Sequence, residues 1–233
     1  MGWSWIKPLA VLWVGGGVYI GMCYATWNRT IDVHAEYGPV ESAQLFAWVI
    51  AVVTAGVATA TARNWRDRLS AAWLLALALL AGAREFDLHE AVQRQESWLP
   101  PVHFRIDWLL NSGEPLWPKV FWGAVFAVAG AAVLIPPLRT KAPTGRFLRV
   151  GDGPTWLFIL ACAGVAGGYL SDDILGRGRL GIHYEVTQGI EEFFELCGAL
   201  AFALATWFEL TYPLSRRAAA VGPAPDSARA THS

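Results

Sequence analysis

The stretch AAWLLALALLAGAREFDLHE, residues 71–90, decides how this chain is interpreted, because an apolar run passes into a charged one without a break. Three acids, an arginine and a histidine therefore lie where a hydrophobic helix should be leaving a lipid bilayer. A second acidic stretch, Glu191-Glu-Phe-Phe-Glu195, opens the last apolar run of the chain. We predict that both stretches lie at the same face of a membrane.

The composition indicates a membrane protein. Of the 233 residues, 55% are hydrophobic and 16% are charged, whereas a soluble domain usually has about 25% charged residues. The net charge of −1 predicts no nucleic-acid partner. All three cysteines fall inside apolar runs, which favours buried thiols over a disulfide framework. The thirteen tryptophans suit the interface between lipid and water.

Six apolar runs are each close to the ~20 residues that cross about 30 Å of hydrocarbon as a helix. They cover residues 8–27, 42–62, 70–90, 118–137, 154–171 and 190–212. Because the backbone in lipid must satisfy its own hydrogen bonds, helices are expected. The predicted fold is therefore all-α, a polytopic integral membrane protein with six transmembrane helices. The third run spans the membrane only if its charged stretch continues the helix.

Two segments outside these runs have their own predictions. In the connector 91–117, Trp98-Leu-Pro-Pro101 stops any helix, and the mixed apolar and charged residues that follow predict a short interfacial helix. After Pro213 the chain turns polar and rich in alanine and proline, so residues 214–233 are predicted to be a disordered cytoplasmic tail. Residues 1–213 then form the transmembrane domain.

The basic residues set the predicted orientation. Most of the 18 lie in the connectors 63–69 and 138–153, in the tail and near the N-terminus. Because basic loops stay in the cytoplasm, both termini are predicted to be cytoplasmic, in the cell inner (plasma) membrane. Most acids then face the periplasm, and any chemistry is expected at that face.

Helical spacing places Glu85 and His89 on one face of the third run, four residues apart. The simplest alternative is a salt-bridged helix end, in which Arg84 pairs with Asp87. That arrangement accounts for most of these charges but leaves Glu85 and His89 unexplained, so we take both as candidate site residues.

A polar stripe opens the last run, where Gln188, Glu191, Glu192 and Glu195 share one helical face. The helix dipole favours acids at an N-terminus and would account for Glu191 and Glu192 without any function. Glu195 lies one turn deeper, where an ionised carboxylate costs several kcal/mol unless it is paired or faces the bundle interior. We therefore expect a functional role for Glu195.

Asp172 and Asp173 close the fifth run at the same predicted face. Acids at a helix C-terminus oppose the helix dipole, so this pair requires a partner. Arginines of the following loop are one solution. The alternative is a cation shared with Glu85 and Glu195.

Carboxylates together with an imidazole suit a hard or borderline divalent metal ion. The predicted metal ligands are Glu85, His89, Asp172, Asp173, Glu191 and Glu192. Glu195 is the predicted catalytic base, because a metal can activate water for attack on an ester, amide or phosphate. No established catalytic sequence motif accompanies these residues.

Three functional hypotheses follow. The first is a metal-dependent membrane hydrolase acting on a lipid or lipid-linked substrate. The second is a small cation- or proton-coupled transporter or channel that uses the same carboxylates. The third is a non-catalytic subunit whose polar face meets a partner membrane protein. The lipid bilayer is a partner under all three hypotheses.

Overall fold

The computed structural model describes residues 6–27, 38–86, 113, 115–138, 153–171 and 184–216, and no strand occurs among them. Six long helices account for almost all of these residues. They are α1 (Ile6–Trp27), α2 (Pro39–Thr61), α3 (Trp65–Glu85), α4 (Leu116–Leu138), α5 (Gly153–Leu170) and α6 (Tyr184–Thr211). The all-α prediction is confirmed.

Helix length and composition support membrane insertion. Within the described residues, three segments are long and apolar enough to cross a membrane: Pro39–Thr61, Gly153–Leu170 and Thr187–Thr211. A shorter apolar segment, Val11–Met22, lies in α1. These helices are compatible with the membrane protein that the composition indicates.

Two helices begin earlier than their apolar runs suggest. α3 begins at Trp65, because the Asn64 side chain caps it by accepting a hydrogen bond of 2.8 Å from the Asp67 backbone N–H. α6 begins at Tyr184, so Glu191 and Glu192 lie about two turns inside the helix. The dipole interpretation of these two acids is therefore wrong, since that effect fades within the first turn.

α6 lies at the centre of the packing. Its interface with α5 is the most extensive, followed by its interface with α2, and α2 also packs closely against α3. Gly164 permits the close approach of α5 to α6, because a Cβ there would lie 2.7 Å from the Cα of Gly198. Small residues that let two backbones approach are typical of helix interfaces in membranes.

Contacts along α6 fix the directions of its neighbours. Gln44 of α2 contacts Glu192 near the start of α6, and Thr54 of α2 contacts Thr206 nearer its end, so the two helices run in parallel. α3 runs the opposite way. We call the end at which α3 finishes and α6 begins the carboxylate end, and the opposite end, at which α3 begins and α6 finishes, the basic end.

Four aromatic rings cross the bundle between these two ends. Trp48 of α2 lies 5.4 Å from Phe202 of α6, measured between ring centroids. Phe202 lies 5.9 Å from Phe158 of α5, which lies 5.1 Å from Trp73 of α3. All four side chains are buried. We refer to Trp48, Phe202, Phe158 and Trp73 as the aromatic layer.

The packed part of the chain continues past the predicted boundary at residue 213. Leu214 is buried, and the Ser215 backbone N–H donates a hydrogen bond of 2.9 Å to Asp67 Oδ1. The rest of the predicted tail, from residue 217, lies outside the described residues. Most of the connector 91–117, with its predicted interfacial helix, lies outside them as well.

Candidate functional site at the carboxylate end

An ion pair between two helices anchors the carboxylate end. Arg84, near the end of α3, donates hydrogen bonds of 3.0 Å from both Nη1 and Nη2 to Oε1 of Glu195 in α6. The Glu195 side chain is 12% exposed and that of Arg84 is 46% exposed. Within the described residues, Oε2 of Glu195 accepts no hydrogen bond. The carboxylate is therefore paired through one oxygen.

Glu85 lacks the hydrogen bonds that Glu192 and Glu195 receive from described residues. Its side chain is 10% exposed, and the Arg84 guanidinium approaches it only to 3.6 Å, between Nη1 and Oε2. No described residue donates a hydrogen bond to the Glu85 carboxyl. Burial disfavours a charged carboxylate, and neighbouring carboxylates disfavour it further. Glu85 is thus the group here that gains most from a proton or another cation.

Glu192 is held by an amide from α2. Gln44, whose side chain is buried, donates from Nε2 to Oε2 of Glu192 at 3.1 Å and to the Glu192 backbone carbonyl at 3.3 Å. An amide donor can serve a carboxyl group in either protonation state. Gln44 therefore positions Glu192 without fixing its charge.

Two further acids surround this group. Glu41, in the first turn of α2, interacts electrostatically with Glu85 and Glu192. Glu191 interacts electrostatically with Arg84. We call the five acids the carboxylate cluster: Glu41, Glu85, Glu191, Glu192 and Glu195. The single positive charge of Arg84 cannot neutralise all of them, so the cluster needs protons, a bound cation or further basic groups.

α5 closes one side of the cluster. Gly168 packs directly on Glu195, because a Cβ at that position would overlap Cγ of Glu195 and lie 3.2 Å from its Cδ. Only glycine leaves room for the carboxylate at this point of the helix interface. The described part of α5 ends close by at Ser171, which is buried and bonds back to Gly167.

The predicted site residues fall into two groups. The structure brings Glu85, Glu192 and Glu195 together and places Glu191 beside them. The other three predicted ligands, His89, Asp172 and Asp173, lie outside the described residues. Within the described part of the chain, no group of three or more His, Cys, Asp or Glu side chains is arranged to hold a metal ion.

Sequence reasoning missed three contributors. Arg84 was considered only as part of a salt-bridged helix end, whereas it bonds to a glutamate 111 positions away. Gln44 carried a usable signal, because a lone amide inside an apolar run needs a partner. Gly168 carried a weaker signal, because a small residue on a helix face can mark a close contact with another helix.

A second polar region lies at the basic end. Asp67 Oδ2 accepts hydrogen bonds of 2.7 Å from the Ser215 hydroxyl and 2.6 Å from the Asn64 amide. Beside it lies a cavity of about 270 Å³. Charged side chains from three segments line this cavity: Arg63, Asp67, Glu209 and Arg216.

Comparisons with known proteins give no match to any family model, to any curated protein or to any solved structure.

Proposed function

We propose that this chain is a small membrane transporter or channel that carries protons and exchanges them at the carboxylate cluster. In this proposal all six long helices span the cell inner membrane, the basic end faces the cytoplasm and the carboxylate end faces the periplasm. The excess of basic residues in the connectors and tail supports that orientation.

One observation carries the proposal, namely the state of Glu85. Its side chain is nine-tenths buried, it lies among other carboxylates, and no described residue donates a hydrogen bond to it. A buried carboxyl of this kind is stable when it holds a proton and costly when it does not. Ionisable groups of this kind inside membrane bundles mark proton and ion paths.

The neighbours of Glu85 give it a way to exchange that proton. Arg84 contacts both Glu85 and Glu195, so its guanidinium can shift toward Glu85 when that carboxyl loses its proton. Glu192, held by Gln44, offers a second acceptor for the proton. Each step moves one proton between two carboxyl groups, and the charge of Arg84 stabilises whichever carboxylate is left ionised.

Proton flux into proteoliposomes tests the proposal. The purified protein is reconstituted with an internal pH indicator, and flux is started by an imposed pH gradient and membrane potential. We expect flux through the wild type and its loss in Glu85→Gln, because the amide cannot carry a proton. Glu85→Gln should remain folded, since glutamine resembles the protonated side chain. An intact and folded Glu85→Gln with wild-type flux would refute the proposal.

A metal-dependent membrane hydrolase acting on a lipid-linked substrate is the second candidate, and one contact favours it. Gly168 packs on Glu195, so α5 reaches the cluster only a few residues before Asp172 and Asp173 in the sequence. With Glu85, Glu192 and His89, these acids would hold a divalent ion, and Glu195 would serve as the base. Metal analysis of the wild type against Glu85→Gln separates this candidate, because a hydrolase requires stoichiometric metal that the variant loses.

A further inference from the structure

Glu209 is a buried acid that the carboxylate cluster does not use. It lies in the last turns of α6, its residue is 2% exposed, and its side chain lines the cavity at the basic end. The Leu214 backbone N–H lies 3.4 Å from Oε1 of Glu209, which is a long hydrogen bond. Ionisable residues buried in membrane helices often lie on proton or ion paths, and Glu209 is such an acid at the wall of a polar cavity.

The cavity beside Glu209 can hold water. Its volume is about 270 Å³, whereas one water molecule occupies about 30 Å³ in the liquid. The lining is polar enough to order water, because it includes Asn64, Asp67 and Thr61. Arg63 and Arg216 line it as well, both are exposed, and neither side chain pairs with a described residue. The cavity therefore extends from Glu209 to side chains that are exposed at the surface.

Polar groups continue from Glu209 toward the bundle centre. One turn earlier on α6, the Thr206 hydroxyl shares a buried hydrogen bond of 2.7 Å with the Thr54 hydroxyl of α2. On α3, one turn beyond Asp67, the Ser70 Oγ is fully buried and has no hydrogen-bond partner within the described residues. A buried hydroxyl without a hydrogen-bond partner costs free energy. A water molecule bound to the Ser70 hydroxyl would supply the missing hydrogen bond.

The aromatic layer separates this region from the carboxylate cluster. Phe202 lies on α6 between Glu195 and Thr206, and it packs against Trp48 of α2. Glu195 and Glu209 are 14 positions apart, which corresponds to about 21 Å along a helix. The two acids thus lie in opposite halves of the bundle with a dry layer between them.

From these observations we infer that Glu209 is the second proton-binding carboxyl of this protein, located at the basic end and reached from solvent through the cavity. The inference rests on the proposed function, because it adds the far end of the same proton pathway. The Thr54–Thr206 pair lies on the path toward the aromatic layer.

Asp67 provides a matched control, because it is a buried acid that lines the same cavity as Glu209. Three donors fix its carboxylate: the Ser215 N–H, the Ser215 hydroxyl and the Asn64 amide. We assign Asp67 to the packing of α3 against the end of the chain. It therefore should not carry protons.

The test compares three proteins in the same proteoliposome assay: wild type, Glu209→Gln and Asp67→Asn. We expect Glu209→Gln to lower proton flux by about a hundredfold, the scale typical of removing a proton-transfer side chain. Asp67→Asn should retain flux per folded protein, and Glu209→Asp should restore part of it. A second measurement, the infrared band of the protonated carboxyl at Glu85, should be unchanged in Glu209→Gln.

The outcomes separate the inference from the proposal on which it rests. Wild-type flux that persists in Glu209→Gln would overturn the inference and leave the carboxylate cluster as the site. Equal loss in Glu209→Gln and Asp67→Asn would also overturn it, because the cavity would then have only a structural role. A wild type that carries no proton flux would remove the proposed function itself, and the inference with it.

Discussion

Asp67 at the basic end and Glu85 at the carboxylate end are buried acids that the bundle holds in opposite ways. At the basic end, Asp67 receives three hydrogen bonds from neutral donors, two of which come from Ser215. At the carboxylate end, three of the five clustered acids interact with one arginine, and Glu85 receives no hydrogen bond from a described residue. A buried carboxylate whose oxygen atoms accept hydrogen bonds from several donors contributes to the packing of the fold. When several carboxylates share one basic partner, at least one of them is stabilised by binding a proton. This contrast underlies the proposed function.

The largest stability difference is expected between two neighbouring acids of the cluster. Glu195→Gln removes the partner of Arg84 and should destabilise the protein by about 2 kcal/mol, the scale of a hydrogen bond to a charged group. Glu85→Gln should cost less than about 0.5 kcal/mol, because the Glu85 carboxyl receives no hydrogen bond from a described residue that the amide would lose. Reversible unfolding in detergent micelles measures both values. Equal costs would contradict the difference between Glu195, which is hydrogen-bonded to Arg84, and Glu85, which has only the longer contact.

Arg84 permits a check on the first prediction. Much of the cost of Glu195→Gln should come from leaving the guanidinium without its partner. Adding Arg84→Gln to Glu195→Gln should therefore recover part of the lost stability. If the double variant is less stable than the sum of the single changes predicts, the pair does not act as we describe.

Gly168→Ala should cost about 1–2 kcal/mol, because its methyl group would overlap the Glu195 side chain and displace it from Arg84. Gly56→Ala is the matched control, since a Cβ there meets nothing within 4 Å. That substitution should be neutral or slightly stabilising. Thermal unfolding of the two variants side by side tests whether Glu195 depends on the close packing of α5.

Asp67→Asn should cost about 1 kcal/mol, because the new amide nitrogen can no longer accept the hydrogen bonds that the carboxylate oxygen received. The loss should appear as fraying of the contact between α3 and Ser215, measured as faster amide hydrogen exchange there. Exchange that speeds up instead at the carboxylate end would show that the two ends are not independent.

The smallest effect is expected between the two ends, at the Thr54–Thr206 hydrogen bond. Polar contacts between helices in membranes contribute about 0.6 kcal/mol on average. Thr54→Val and Thr206→Val should each cost about that much, and the double variant should cost little more than either. Additive costs would mean that the two hydroxyls do not share one interaction.

The sequence predicted most of the helical architecture, because apolar runs report directly on membrane helices. The fourth run was predicted at 118–137, and α4 extends over Leu116–Leu138. The start of α6 was missed by six residues, since Tyr184 and the mixed polar and apolar residues after it give no continuous apolar signal. The N-terminal extension of α3 was missed for the same reason, and the Asn64 cap was the available clue.

The candidate site was predicted only in part, for a physical reason. Spacing along one helix places Glu191, Glu192 and Glu195 on a common stripe, and burial of Glu195 follows from its apolar neighbours. Which basic group pairs with Glu195 depends on how α3 packs against α6, and no local pattern encodes that. The same holds for Gln44 and Gly168, whose roles arise entirely from contacts between helices.

The protonation state of Glu85 is the most direct test of this account. Infrared difference spectroscopy at neutral pH detects the C=O stretch of a protonated buried carboxyl and assigns it by substitution. We predict that the wild type shows this band, that Glu85→Gln removes the component due to Glu85, and that Glu195→Gln retains it. A wild type without the band, or a Glu85→Gln variant whose band is as intense as that of the wild type, would contradict the claim that the carboxylate cluster holds its exchangeable proton on Glu85.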